Sequence, residues 1–595
     1  MGNVICTDNK TSRLKHTGSF DWKQSFGNNS FEIFAAEEVI IRKGELRTMK
    51  GFGYDTKLTG ETVFDHLGSG QNYVTNTYVN PNDNMLSLIG RFDYNYAGRY
   101  YATLTFRADA STKFNAKNRW GYFPSVALAW RIIDEEWMAP AQSVMSNFKL
   151  RATYGLVGNN NIDLGYIHPE FLVSAAANSG LYPSQYYIGG DNLIAPNENL
   201  KWETTTSRNL GLDFGFWNER LSGSIDAYCN TTNDLLLLYR LPSGGYNYQY
   251  RNIGATQNIG VELSLTGVIL DKRSKDLSYG LTVTANIAHN DTRVKSLGGM
   301  DEYNVSAQCF SSGYDNMDYE FKLVEGGRVG DVYGYKTDGF YTAEDFDGYN
   351  TKNNYGLING KPVMTPFGYA RPGMPKVKSN EREIIGNTQP VINGGFNIAF
   401  NIGGEKWGKV DLSTNFTYSV GNSVVNLSAL DYSSITEKTR MRNTSASLVN
   451  RYTYLNDNYN FITYTGAVDK NGNSTDPVAF ADFQSRLAAA NANATEANPI
   501  SDKFALTDKY VEDGSFLRMS SLNIGYTLPE TVLKKAHMST LRIFFTANNI
   551  FCVTKYSGAD PEVDTRSSVN PLATGVDFSA FPKNRSFNFG LTVGF

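Results

Sequence analysis

A chain of 595 residues is too long for one hydrophobic core, so a water-soluble reading would need several domains. Its 55 basic and 59 acidic residues leave a net charge of −4 with no basic stripe or cluster, which argues against a nucleic-acid partner. The 37 Tyr, 35 Phe and 55 Gly, set against 18 Pro, favour strands and turns over helices.

Alternation of apolar and polar side chains marks strands with two unlike faces, and it starts near the amino terminus. Segments 18–26 and 31–39 flank the turn Gly27-Asn28-Asn29-Ser30 and predict a hairpin. A polar stretch to about Asn84 reads as a loop. Leu86, Leu88, Phe92 and Tyr94 then alternate with polar residues up to a tight turn at Gly98. The returning strand sets Leu104, Phe106 and Ala108 against Thr105, Arg107 and Asp109. Val126 to Ile132 and Phe148 to Leu156 follow, with a helical turn predicted over 134–145. The same pattern recurs at 209–216, 221–227, 259–266, 277–287, 396–402, 410–416, 522–526 and 541–545. It closes at Arg585–Phe595, where Phe587, Phe589, Leu591, Val593 and Phe595 share one face. A short helix is predicted over Phe480–Ala492.

About fifteen strands result, and their lengths separate them from a soluble sandwich, whose strands usually run about 5 or 6 residues. Eleven residues at roughly 3.4 Å each, tilted near 45°, rise about 26 Å, close to the apolar band of an outer-membrane barrel. Short connections (27–30, near 98, 217–219, 271–276, 403–406) and medium ones (134–146, 528–538) alternate with mostly long ones at 41–84, 110–118, 158–199, 233–254, 291–390, 421–512 and 550–584. Strict alternation puts all long loops at one end, as in outer-membrane barrels. The predicted fold class is therefore all-β, an antiparallel transmembrane β-barrel with long extracellular loops.

No apolar run approaches a spanning helix, and MGNVICTDNK lacks the apolar core of a signal peptide. Cys6, Cys229, Cys309 and Cys552 are far apart and form no CxxC pair, which argues against a zinc site and leaves disulfides open. Bacterial single-chain barrels have even strand numbers, so an odd count predicts that residues 1–595 are a carboxy-terminal part of a barrel, with the first strands, plug domain and signal peptide absent.

Five blocks carry a family resemblance: NRWGYFPSVALAWRI (118–132), GDVYGYKTDGFYT (330–342), GSFLRMSSLNIGYTLP (514–529), NNIFCVTKYSGADPEV (548–563) and FPKNRSFNFGLTVGF (581–595). In these the chain resembles the SusC/RagA family of TonB-dependent outer-membrane transporters of Bacteroidota. The resemblance implies a barrel of roughly 22 strands, closed by an amino-terminal plug, of which this chain supplies about fifteen. It also implies import of oligosaccharides, glycans or peptides across the Gram-negative outer membrane, with a SusD-like surface lipoprotein as partner. Energy would come from the TonB complex through the plug. Phe595 resembles the terminal aromatic read by barrel-assembly machinery; its plain reading is the last residue of a lipid-facing girdle.

No catalytic arrangement is present, and the chain reads as a non-enzyme without a cofactor. His16, His66, His168, His289 and His537 form no HExxH and read as surface or loop residues. The run Glu344-Asp345-Phe346-Asp347-Gly348 with Asn350 resembles a calcium loop only in part, lacking a third carboxylate and the terminal Glu, and reads as a solvated loop. Asp560-Pro561-Glu562 with Asp564 reads as loop structure. Arg107, Asp109, Arg131, Arg151, Asp213, Asp226 and Glu262 fall on the polar faces and match a wet lumen, where pairing with each other or with a plug is favoured over substrate contact. Tyr182, Tyr186, Tyr187, Tyr246, Tyr248 and Tyr250 suit either sugar stacking or packing against the SusD-like partner. The competing readings are a passive porin and a secreted glycan-binding β-protein.

Overall fold

The computed structural model describes residues 2–54, 71–79, 83–162, 194–241, 248–307, 319–435, 443–500, 505–566 and 570–595, with the isolated positions 62, 65, 66, 69, 172–173, 186–187, 246, 309 and 503. Two compact units emerge, one of residues 1–259 and 295–299, the other of 260–294 and 300–595. The first carries β1 (Gly2–Phe26), β2 (Asn29–Tyr54), β3 (Asp83–Tyr96), β4 (Tyr100–Ser111), β5 (Trp120–Arg131), β6 (Met145–Asn159), β7 (Glu203–Phe216) and β8 (Leu221–Asn233). Each is antiparallel to its neighbour in that order. The second unit carries most of β9 (Ala255–Lys272) and β10 (Ser278–Ser296). It also holds β11 (Ile392–Gly404), β12 (Gly408–Val420), β13 (Phe516–Thr527), β14 (Thr540–Thr554) and β15 (Ser586–Gly594), again in sequence order. These fifteen strands coincide with the fifteen predicted segments.

Register makes each face continuous from strand to strand. Leu104 stands opposite Phe92 on one side and Val126 on the other. Leu212 stands between Leu150 and Ile225. In the second unit Phe400 lies between Leu281 and Leu412, and Ile524 between Leu412 and Phe545. The last strand sets Phe589 against Phe545 and Leu591 against Ile543. A one-residue slip in any of these pairs would turn a whole apolar row to the other face, so the pattern fixes the register.

Among the described residues, no side chain named in these rows is buried. Ile543 is 53% exposed and Phe589 83%, while Phe595, just past the end of β15, is 93% exposed. Leu104, Phe106, Leu128, Leu210, Ile225 and Ile259 are exposed too. Apolar rows of this extent have no place in water, whereas hydrocarbon accepts them provided the backbone is hydrogen-bonded strand to strand. Among the described residues no helix is long and apolar enough to cross a membrane.

Short connections at 27–28, 97–99, 217–220, 273–277 and 405–407, and medium ones at 132–144 and 528–539, alternate with the others along the chain. The medium one at 132–144 folds as two 3-10 turns, Ile132–Asp134 and Glu136–Ser143. The buried cores form in and beside the long connections. In the first unit Phe114, Phe123, Ile162, Leu200 and Trp202 pack together. In the second, one cluster forms around Phe346, Tyr349, Phe480, Phe483 and Leu487, another around Phe321, Val332, Val425, Leu427 and Val576. The helix Pro477–Ala490, capped by Asp476, buries Phe480, Phe483 and Leu487.

The polar stretch after residue 40 differs from its predicted loop. There β1 and β2 run on as 25- and 26-residue strands, paired out to Gly2 and Tyr54, and a further strand, Gln71–Val79, joins β2. Opposite charges face each other across the extension, Asp8 against Arg47 and Lys10 against Glu45, and Lys15 Nζ lies 2.6 Å from Glu38. Cross-strand charge pairs support a strand without apolar alternation, so periodicity alone misses it.

Leu281 and Thr282 are adjacent but on opposite faces, paired with Phe400 and Ala399. Leu281→Arg is expected to cost about 2–4 kcal/mol if it meets the bilayer midplane, with a matching fall in folded protein recovered from outer-membrane fractions. Thr282→Arg is expected to leave recovery near that of the unmodified protein; equal losses at both positions would refute lipid contact.

Candidate functional site

The polar faces carry ion pairs built across the strands. Arg151 on β6 makes a two-pronged contact with Asp213 on β7, Nε and Nη2 lying 3.0 and 2.8 Å from Asp213 Oδ1, and its Nη2 also reaches Asp226 Oδ2 on β8 at 3.0 Å. Arg151 must cross β7 to do so, and the residue it crosses is Gly211, opposite both Arg151 and Asp226 in register. A Cβ at Gly211 would sit 2.5 Å from Asp226 Oδ1 and 2.6 Å from Arg151 Cζ, so the missing side chain is what opens the crossing. Arg542 repeats the device across Gly525 to reach Asp411 at 2.6 Å.

Arg107 holds Asp109 at 2.8 Å and donates to Ser87 Oγ, while Arg131 pairs with Asp134 at 3.1 Å. Glu262 is exposed, with no ion pair among the described residues. Six of the seven charged residues singled out by alternation therefore bind carboxylate or guanidinium partners within the chain. Arg91, set by alternation on the polar face with Asp93, binds Glu32 and Asp93, and Arg542 binds Asp411.

Asp345, Asp347, Asp560 and Glu562 on the long connections make contacts within the chain. Asp345 accepts from the Thr342 backbone N–H and pairs with Lys376 at 3.0 Å; although burial opposes it, these contacts hold its carboxyl below the usual range. Asp347 accepts from the Gly360 N–H. Arg518, 7% exposed at its side chain, binds Asp560 at 2.6 Å and Glu562 at 2.7 Å, and Lys583 adds a second contact to Glu562. The four cysteines are free thiols.

Among the cavities at the connections of the second unit, two carry charged or aromatic walls. One, of about 460 Å³, is lined in part by Glu496, Asp508 and Lys509, where Lys509 pairs with Glu496 and Asp508 accepts from Thr337. The other, of about 410 Å³, is lined by Tyr349, Tyr454, Phe461, Tyr464 and Phe483, with Arg371 on its wall. Burial pushes the Tyr349 and Tyr454 phenols up, Tyr454 well above the ordinary range, and the charge of Arg371 works against both shifts. Next to the lining residue Tyr349, Asn350 Nδ2 donates to Asn473 Oδ1 at 2.7 Å, and the Tyr349 N–H donates to Ser474 Oγ.

Of the tyrosines singled out in the sequence, Tyr250 packs against the core of Phe114 and Trp202, and Tyr248 lies in a short strand, Tyr248–Asn252. Tyr246 is half-buried. Tyr186 and Tyr187 form a two-residue strand, and Tyr182 and His168 lie outside the described residues. The aromatic pocket escaped the sequence because its members lie up to about 130 residues apart and carry no common spacing.

The family model for the β-barrel of TonB-dependent receptor-like proteins matches residues 7–369. TonB-dependent receptor P3 of Formosa agariphila is 26% identical over 589 residues, covering 96% of this chain and 51% of that protein. TonB-dependent receptor SusC of Bacteroides thetaiotaomicron is 29% identical over 584 residues, covering 96% of this chain and 49% of that one. The chain thus spans about half the length of these relatives. Among solved structures, that of the RagAB peptide transporter superposes with a TM-score of 0.72 at 21% identity, covering all of this chain and 56% of its own, a likeness of fold.

Filling the crossing should strain the charge network it serves. Gly211→Val is expected to destabilise the protein by about 1–3 kcal/mol, measured by urea unfolding from liposomes, and Arg151→Ala in the same chain is expected to relieve part of that cost. Arg518→Ala leaves the buried Asp560 without its cation and Glu562 with Lys583 alone, and is expected to cost about 3–5 kcal/mol. On intact cells it should expose the connections 421–515 and 555–585 to protease while the strands stay protected.

Proposed function

This chain belongs to the family of TonB-dependent receptor-like β-barrels, and from that premise we propose that it serves import of oligosaccharides or peptides across the outer membrane. It is a SusC/RagA-type receptor of the outer membrane, built on a β-barrel fold. The observation that carries the proposal is the family match over residues 7–369, with apolar rows left partly or largely exposed along the same strands. The polar faces, with their internally paired arginines, would line a wet interior, where a self-neutralising network lowers the cost of holding charge next to the bilayer.

A SusD-like surface lipoprotein is the proposed partner, and the TonB complex the proposed energy source. The resemblance of the five sequence blocks supports both, and exposed apolar residues such as Val449 and Tyr459 on the long connection 421–515 suit a protein contact there. Phe595, wholly exposed at the end of the last strand, suits recognition during barrel assembly. The passive-porin and secreted-protein readings find no observation in their favour.

Growth of the parent bacterium on a panel of polysaccharides and peptides tests the reading. Deleting this gene and deleting tonB are each expected to abolish growth on the same substrate, with growth on glucose retained. Uptake that needs this gene but persists without TonB would favour a passive pore instead.

A further inference from the structure

The pocket of Tyr349, Tyr454, Phe461, Tyr464 and Phe483 combines features that the import reading does not assign. Its aromatic wall is firm: Tyr349 and Phe483 are buried with their rings 5.2 Å apart, and Tyr464 meets Phe483 edge-on at 6.2 Å. Tyr454 is pinned through its hydroxyl to the Pro372 carbonyl at 2.7 Å, and the Tyr464 hydroxyl donates to the Ala467 carbonyl. Phe461, in contrast, is 77% exposed and stands at the rim.

Arg371 supplies the charge. Its Nη2 donates to the Ile500 carbonyl at 2.9 Å, which fixes the guanidinium on the wall, yet no carboxylate partners it among the described residues. Four of its five N–H donors are left for another acceptor. This sets it apart from Arg107, Arg151, Arg518 and Arg542, each satisfied by a carboxylate of the chain. A guanidinium fixed at the wall of an apolar pocket is a receptor for an anion, and its fork matches a carboxylate.

We infer that this pocket takes a sugar residue bearing a carboxylate, with the ring lying on the tyrosine and phenylalanine faces and the carboxylate on Arg371. The inference rests on the import reading and names the substrate class for it. The flat apolar face of a pyranose matches an aromatic ring, and its hydroxyls need amides and hydroxyls around it. Asn354 and the Asn498 side-chain nitrogen, on the same wall, make no hydrogen bond among the described residues, and Thr351 and Thr463 stand beside them. The lining contains no carboxylate, so a bound anion meets no like charge beside Arg371. A volume of about 410 Å³ suits one or two sugar rings.

Calorimetry on the purified full-length receptor tests this with tetrasaccharides of galacturonate, glucuronate and mannuronate, their methyl esters, maltotetraose and trileucine as probes. At least one uronate is expected to bind about tenfold or more tighter than its ester, as loss of a charge-assisted contact implies. Arg371→Gln should erase that preference, Arg371→Lys should keep part of it, and Phe461→Ala should weaken acid and ester alike. Equal binding of acids and esters, binding of trileucine or maltotetraose in preference to every uronate, or no binding of any uronate would overturn the inference. If acid and ester bind equally while growth still requires TonB, the pocket assignment fails and the import reading stands. If a uronate binds as expected while uptake ignores TonB, the pocket assignment stands and the import reading fails.

Discussion

One constraint governs this molecule: among the described residues, the apolar rows along one face of the strands are left partly or largely exposed. A backbone in hydrocarbon cannot leave its N–H and C=O groups unpaired, so such faces persist only where strands bond to one another along their length. The pairings of Leu104 with Phe92 and Val126, and of Ile524 with Leu412 and Phe545, supply that bonding and align the apolar rows at the same time. The usual arrangement of a water-soluble protein is turned around. Its large side chains lie outside the wall, and its packed cores sit in and beside the connections.

The polar faces solve the complementary problem. Arginine beside a bilayer is costly unless paired, and here the partner often lies two strands away. Gly211 and Gly525 leave the intervening strand without a side chain, so Arg151 and Arg542 cross it to reach Asp226 and Asp411. Glycine in these strands is thus a passage for a charged side chain. Near the start of β13 the buried Arg518 fastens Asp560 and Glu562, tying the last long connection to that strand.

How much of this was legible in the sequence depends on the range of each signal. Alternation is local, and it placed all fifteen strands and the alternation of short and long connections. It missed the extension of β1 and β2 because residues such as Lys10 and Glu45 are polar on both faces, and the signal for pairing is charge complementarity with a partner some 35 residues away. It sets Arg151, Asp213 and Asp226 on polar faces without showing that they meet, since their contact depends on register across three strands. The cluster of tyrosines from 182 to 250 drew attention by local density, yet Tyr250 packs in a loop core. The aromatic pocket is assembled by contacts such as Tyr349 with Phe483, which no local pattern announces.

Nitroxide labels placed one at a time along β10 and β14 of the receptor in liposomes test the central claim most directly, through their accessibility to oxygen and to a water-soluble nickel chelate. Labels at Leu281, Val283, Ile543 and Phe545 are expected to be oxygen-rich and shielded from nickel, alternating with nickel-accessible labels at Thr282, Thr284 and Thr546. A uniform profile, or low access to both reagents at the apolar positions, would place those side chains inside protein and contradict the account.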